Sequence, residues 1–183
     1  MSTADDDNTQ RSAASTDLSG ASLESPKDEA LFKQPPPRGE CDICMLTLPL
    51  NASTEQKYQP CCGKMTCQGC IRAAYLADNR KLCPFCRTPA ATSHEEITKS
   101  LKKRAEGDDA IAIYQLACFY YDGQVDLHQD RDKAMELWLR AGELGDSSAY
   151  NSVAAAYYRG EGVERDIEKA KHYFKLAAME GHV

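Results

Sequence analysis

The sequence predicts a small α+β module stapled by its own cysteines, followed by an all-α solenoid of helical repeats and preceded by a disordered arm. Three observations predict this. Eight of the nine cysteines fall in the 46 residues from Cys41 to Cys86. The segment after them repeats itself at intervals of 36 and 37 residues. Residues 1–38 hold few large apolar side chains and run into the triple proline of KQPPPRG.

The arm, residues 1–38, is rich in Ser, Thr, Ala and Asp, a composition that buries too little apolar surface to offset the entropy of ordering. Pro35, Pro36 and Pro37 stiffen its end toward polyproline II. A solvated tail is the plain reading, and the serines and prolines leave a phosphorylated or SH3-type docking segment open. MSTADDDNTQ is acidic and polar, unlike the basic and then apolar start of a signal peptide. No apolar run approaches the ~20 residues that span a bilayer, so no membrane partner is expected. The expected compartment is the cytoplasm, with the nucleus also open, and in that reducing setting clustered cysteines are metal ligands more often than disulfides.

The second element, residues 39–90, carries the cysteines as Cys41-x2-Cys44, Cys61-Cys62, Cys67-x2-Cys70 and Cys83-x2-Cys86. Zinc takes four soft ligands in a tetrahedron, and a CxxC turn offers two sulfurs to one ion at about 2.3 Å. Eight thiolates therefore hold two Zn²⁺ with no partner missing. The segment is too poor in large apolar residues to fold on burial alone, so the metal must supply stability. Its charge fits this: residues 41–90 carry six basic against three acidic residues, while the whole chain is at -6. Two zinc-thiolate sites would cancel that excess, and no basic run interleaved with aromatics occurs elsewhere, so nucleic acid is not expected. A prolyl break falls at Pro60, one helix is predicted over Ile71–Arg80, and Met45, Leu46 and Leu48 are expected to form the module's small core.

The order of the pairs resembles the RING family, in an all-cysteine variant. The resemblance implies that alternate pairs share an ion: Cys41, Cys44, Cys67 and Cys70 on the first zinc, and Cys61, Cys62, Cys83 and Cys86 on the second. Most RINGs carry a histidine where CCGKMTC has Lys64, and no histidine occurs between Cys41 and Cys86. The resemblance then makes Cys61 the remaining ligand. A PHD finger would want histidine at position 67 and a LIM domain fills its sites sequentially, while two independent zinc ribbons stay open.

Four thiolates leave a zinc no position for water or substrate, so no catalytic residue is expected in the module. What the RING resemblance implies is a rigid surface for a ubiquitin-conjugating enzyme carrying ubiquitin, with transfer promoted by positioning. Ile43 matches the position that contacts the conjugating enzyme, Pro84 the opposite wall of the groove, and Arg87 the linchpin that restrains the thioester; a planar guanidinium suits that bridging. Each also has a plain role, as cover for a zinc site, as a shaper of the knuckle, or as charge compensation. A RING-type ubiquitin ligase is the expected function, and a non-catalytic zinc-finger and solenoid scaffold is the alternative.

Residues 91–108 read as a linker and leading helix, with the change of texture near Thr92 to Glu96. Residues 109–183 read as two repeats, about 109–145 and 146–183. YQLACFYYDG ending at Gly123 matches NSVAAAYYRG ending at Gly160, and DRDKAMELWLRAGELG matches DIEKAKHYFKLAAMEG. A two-helix unit at this period signals an α-solenoid. Leu116 and Val153, Tyr120 and Tyr157, Leu137 and Tyr173, and Trp138 and Phe174 supply bulk. Ala117, Ala154, Ala134, Ala170, Ala141 and Ala177 let helices approach. Gly123, Gly145, Gly160 and Gly181 end helices, and Asp130 and Asp166 are N-caps.

These landmarks resemble Sel-one-like repeats, relatives of the tetratricopeptide class. The resemblance implies a right-handed superhelix that recruits a protein substrate or adaptor. With two units, the solenoid is expected to lean on the zinc module, to self-associate, or to be an incomplete product. Cys118 reads as a buried apolar residue, and His94, His128, His172 and His182 lack metal-ligand spacing. Asp78, Glu95 and Glu96 read as solvated or capping residues, and no nucleophile with a base partner is recognisable.

Overall fold

A computed structural model describes residues 39–48, 56–77, 81–124 and 127–179. The expected arm, its prolines, Asp78, Gly181 and His182 lie outside the described residues. The cysteine segment contains a hairpin of β1 (Gln56–Gln59) and β2 (Lys64–Cys67), paired antiparallel with Gln56 opposite Cys67 and Gln59 opposite Lys64. Helix α1 (Gln68–Ala77) follows directly. It begins three residues before the predicted Ile71 because Cys67 caps it: the Cys70 backbone N–H donates to Cys67 Sγ at 3.4 Å, so the first turn starts inside the knuckle.

The first and last knuckles close alike. Cys41 N–H bonds Leu46 O at 3.0 Å and Met45 N–H bonds Cys41 O at 2.9 Å. Cys83 N–H bonds Thr88 O at 2.8 Å and Arg87 N–H bonds Cys83 O at 3.0 Å. Single antiparallel bridges, Glu40 to Thr47 and Leu82 to Pro89, flank them. The residue after each second cysteine is left-handed, Met45 at φ 57° and Arg87 at φ 59°. This corrects the expected core. Leu48 is buried, but Met45 and Leu46 are 67% and 68% exposed, because the left-handed turn sends both side chains to solvent.

Five helices follow: α2 (His94–Ala105), α3 (Ala110–Asp122), α4 (Arg131–Glu143), α5 (Ser147–Arg159) and α6 (Ile167–Met179). Side chains of Ser93, Asp109, Asp130 and Asp146 accept backbone N–H bonds at the starts of α2 to α5, and Asp166 does the same at α6. Gly123 and Gly160 cap α3 and α5 in left-handed conformation. Each helix packs on the next along the chain, as a solenoid requires.

The main core collects Ala105, Ile113, Leu116, Ala117, Trp138, Ala141, Ala149, Val153 and Ala156. Tyr121 lies on Trp138 with ring centroids 5.0 Å apart, and Tyr150 and Tyr157 stack on Tyr173 at 6.1 and 5.8 Å. Trp138 and Phe174 are not equivalent in burial, contrary to expectation: Trp138 is 5% exposed and Phe174 41%. Trp138 belongs to the core that α5 completes, whereas α6 is the last described helix of the stack. Cys118 is half-buried against the main core, as expected, and burial raises its thiol above the ordinary range.

Helices α4 and α5 approach closely at Gly142, where a Cβ would stand 2.5 Å from the Tyr150 ring. Gly to Ala inside a helix ordinarily stabilises by roughly 0.5–1 kcal/mol. Here the ring is held by Tyr173, so the sign reverses. Gly142→Ala is expected to destabilise the protein by about 1–3 kcal/mol, the usual cost of overpacking, in chemical denaturation followed by helical circular dichroism. Unchanged or increased stability would mean that the ring yields freely.

Candidate metal centre

The hairpin, α1 and the two similar knuckles bring the eight thiols into two groups. One holds Cys41, Cys44, Cys67 and Cys70; the other holds Cys61, Cys62, Cys83 and Cys86. Within each, all four sulfurs lie within 4.8 Å of one another. Alternate pairs along the chain thus share a cluster, because the hairpin lays the third pair beside the first and its turn carries the second pair toward the fourth.

The spacing within the clusters suits a metal. A tetrahedron with metal-sulfur bonds of about 2.3 Å has sulfur-sulfur edges of about 3.8 Å. Cys44 and Cys67 stand 3.8 Å apart, as do Cys62 and Cys83, while Cys61 and Cys86 are at 3.4 Å. All of these cysteines are free thiols, and a disulfide would need about 2.05 Å. Backbone N–H groups also point at sulfur, as for a thiolate: Cys67 N–H donates to Cys41 Sγ at 3.3 Å. Both clusters could therefore hold metal ions.

The thiols do not share one acidity. Burial alone would push Cys41 up, but the backbone N–H groups of Cys44, Cys67 and Ile43 favour its thiolate and lower it to about 6. Burial likewise opposes ionisation of Cys86, yet the Thr88 hydroxyl and backbone N–H bring it to about 6. Burial, then the neighbouring thiols of Cys67, Cys44 and Cys41, push Cys70 up to about 12; burial and Cys86 push Cys61 up as well. Each cluster so contains one thiol held below and one held above the ordinary range, and a bound cation would favour the thiolate form of all four.

Ile43 sits at the middle of the first knuckle and is 41% exposed. Pro84 is half-buried in the last knuckle, and Arg87 is exposed at its left-handed turn. Lys64 connects these two knuckles. Its Nζ donates to Asp42 Oδ1 at 3.2 Å and lies 5.4 Å from the centre of the Phe85 ring, touching the neighbours of Ile43 and of Pro84. Asp42 is fixed from its other oxygen by Met65 N–H at 2.9 Å.

Sequence reading anticipated neither this role of Lys64 nor the residues of the seam between the halves, although a solenoid leaning on the cysteine module was one of its three expectations. Tyr58 of β1 is buried against Leu101 of α2 and Ala112 of α3, flanked by Met65, Ile97, Ile111 and Phe119. Its hydroxyl donates to Asp109 Oδ2 at 2.6 Å, and Arg104 reaches both that oxygen at 3.3 Å and the Pro60 carbonyl at 3.1 Å. A lone tyrosine in a polar strand carries no signal of a partner 51 residues away. Burial, then the bond to Asp109, raises the Tyr58 hydroxyl above its ordinary range, which keeps it a donor.

A stack of helix pairs headed by two four-thiol clusters defines a helical-repeat protein with a cysteine-rich leading module. The Sel1 repeat family model matches residues 110–146 and 147–182, so α3 to α6 form two Sel1 repeats. Such repeats mediate protein-protein interactions. No RING family match covers the cysteine segment. Chitin synthase regulator SKT5 of Saccharomyces cerevisiae is 35% identical over 80 residues, which is 43% of this chain but only 12% of that protein. A Sel1 repeat protein from Oxalobacter formigenes is similar at 30% identity and TM-score 0.48, over 51% of this chain and 38% of that one. Helicobacter pylori cysteine rich protein B is similar at 21% identity and TM-score 0.47, over 62% of this chain and 84% of that one. Among the described residues, no helix is long and apolar enough to cross a membrane.

Cobalt tests the clusters directly. The reduced protein is expected to bind two equivalents of Co²⁺ with the absorption of tetrahedral thiolate sites. Cys70→Ala and Cys61→Ala are each expected to leave one. Two full equivalents in Cys61→Ala would remove that residue from the second cluster.

Proposed function

We propose that the protein is an interaction scaffold in which two structural zinc ions hold a recognition module at the head of a Sel1-repeat platform for protein partners. The observation that carries this reading is the join of a protein-interaction repeat to two clusters of four sulfurs each. Zinc fits the donors: four soft ligands per cluster at tetrahedral spacing, with backbone N–H groups aimed at sulfur. Cys41, Cys44, Cys67 and Cys70 would hold one ion, and Cys61, Cys62, Cys83 and Cys86 the other. With all four positions taken, neither ion can activate water, and its contribution is to folding. The printed name of the yeast relative, a regulator of an enzyme, agrees with a binding role for the shared repeats.

A second reading has its own observation. The crossed pairing of cysteines, with Ile43 and Arg87 exposed, is the arrangement expected of a RING-type ubiquitin ligase. In it, Ile43 and Pro84 would contact a ubiquitin-conjugating enzyme, Arg87 would restrain the charged ubiquitin, and the repeats would recruit a substrate or adaptor.

One experiment separates the two. Zinc-loaded protein is mixed with a panel of ubiquitin-charged conjugating enzymes, and discharge of the thioester is followed alongside native mass spectrometry. The scaffold reading expects two bound zincs and discharge no faster than without the protein. Accelerated discharge that Ile43→Ala or Arg87→Ala abolishes, with both zincs retained, would replace it with the ligase reading. Absence of zinc would sink both.

A further inference from the structure

A solenoid buries each repeat on its neighbour, so its first unit has an apolar face that needs a cap. Here that face lies on α2 and α3, where Leu101 and Ala112 are fully buried with Ile97, Ile111 and Phe119 around them. What covers it is the hairpin of the cysteine module, through Tyr58 of β1 and Met65 of β2. The turn between those strands, Pro60–Cys61–Cys62–Gly63, supplies two of the four sulfurs of the second cluster. The same turn rests on α2. Arg104 Nε donates to the Pro60 carbonyl, and a Cβ on Gly63 would lie 2.4 Å from Arg104 Nη1 and 2.9 Å from Asp109 Oδ2. Only glycine permits that approach, and its φ of 73° is one that other residues rarely adopt.

We propose that the cysteine module is the amino-terminal cap of the solenoid, and that metal in its second cluster stiffens α2 and α3 through the Pro60–Gly63 turn. The inference rests on the zinc reading above. The coupling runs through Asp109. Its Oδ1 caps α3 by accepting from Ala112 N–H at 3.2 Å, while its Oδ2 takes the Tyr58 hydroxyl and Arg104. Without an ion, the turn is held by the bonds of Cys62 and Gly63 N–H to Gln59 O, at 3.1 and 2.8 Å, and by contacts between thiols. With an ion, Cys61 and Cys62 are tied to Cys83 and Cys86, so opening the turn would require breaking metal-sulfur bonds. Pro60 and Gly63 then stay on Arg104, and the start of α3 cannot fray without releasing Tyr58.

Hydrogen exchange on the full, reduced chain tests this, comparing zinc-loaded protein with protein after chelation. Chelation is expected to speed exchange in α2 and α3 by about tenfold or more, and in α6 by far less, since local opening follows local contacts. Arg104→Met and Tyr58→Phe leave the clusters intact. Each should still bind two zincs but lose most of the zinc-dependent protection in α2 and α3. Zinc binding at two equivalents with equal exchange in both states would overturn the coupling and leave the zinc reading standing. A chain that binds no zinc would overturn both.

Discussion

Scarcity of apolar side chains in the cysteine segment is the constraint on which the rest depends. Among its described residues the buried apolar groups are Cys41, Leu48, Tyr58, Ile71 and Cys83. Two of these are sulfur donors and a third, Tyr58, is buried by the helices rather than by its own module. Leu48 and Ile71 are thus the only aliphatic side chains that the described part of the module buries. Such a segment holds its shape only if its sulfurs are drawn together and its hairpin has something to lie on. The two four-sulfur clusters answer the first need and the α2 and α3 face answers the second.

The helical half was legible because repetition doubles every signal. One Asp before a helix is ambiguous, but Asp130 and Asp166 at matching positions read as caps, and both cap. Ser93, Asp109 and Asp146 also cap, yet they fall outside the aligned blocks and were not read. Repetition also misled at Phe174, since matching positions share surroundings only where the same elements pack on them: α5 completes the core over Trp138, and among the described residues no helix follows α6. The clusters were legible through spacing and resemblance together. That the solenoid leans on the cysteine module was one of three expectations, but the residues of the seam were not legible, because Tyr58, Arg104 and Asp109 are ordinary residues whose meaning lies in contacts made across the chain.

Lys64 reverses a judgement that spacing alone invites. Standing where a metal-binding histidine is expected, it looks like a defect in the ligand series. In the fold it is a strut: its amine meets Asp42 of the first knuckle and the Phe85 ring of the last, and these knuckles belong to different clusters. The ion pair is partly exposed, and such pairs contribute about 0–1 kcal/mol. Its value is therefore geometric. It lies between the two sulfur clusters that the hairpin also joins, touching the neighbour of Ile43 on one side and the neighbour of Pro84 on the other.

Met45 and Arg87 carry the same logic to the surface. Both occupy the left-handed position after the second cysteine of a knuckle, where a residue with a Cβ costs roughly 1–2 kcal/mol that glycine would avoid. Neither side chain recovers that cost by burial, since both are exposed. The strain belongs to the knuckle turns themselves, in which the Met45 and Arg87 N–H groups bond back to the Cys41 and Cys83 carbonyls, and it leaves a thioether and a guanidinium exposed at equivalent corners.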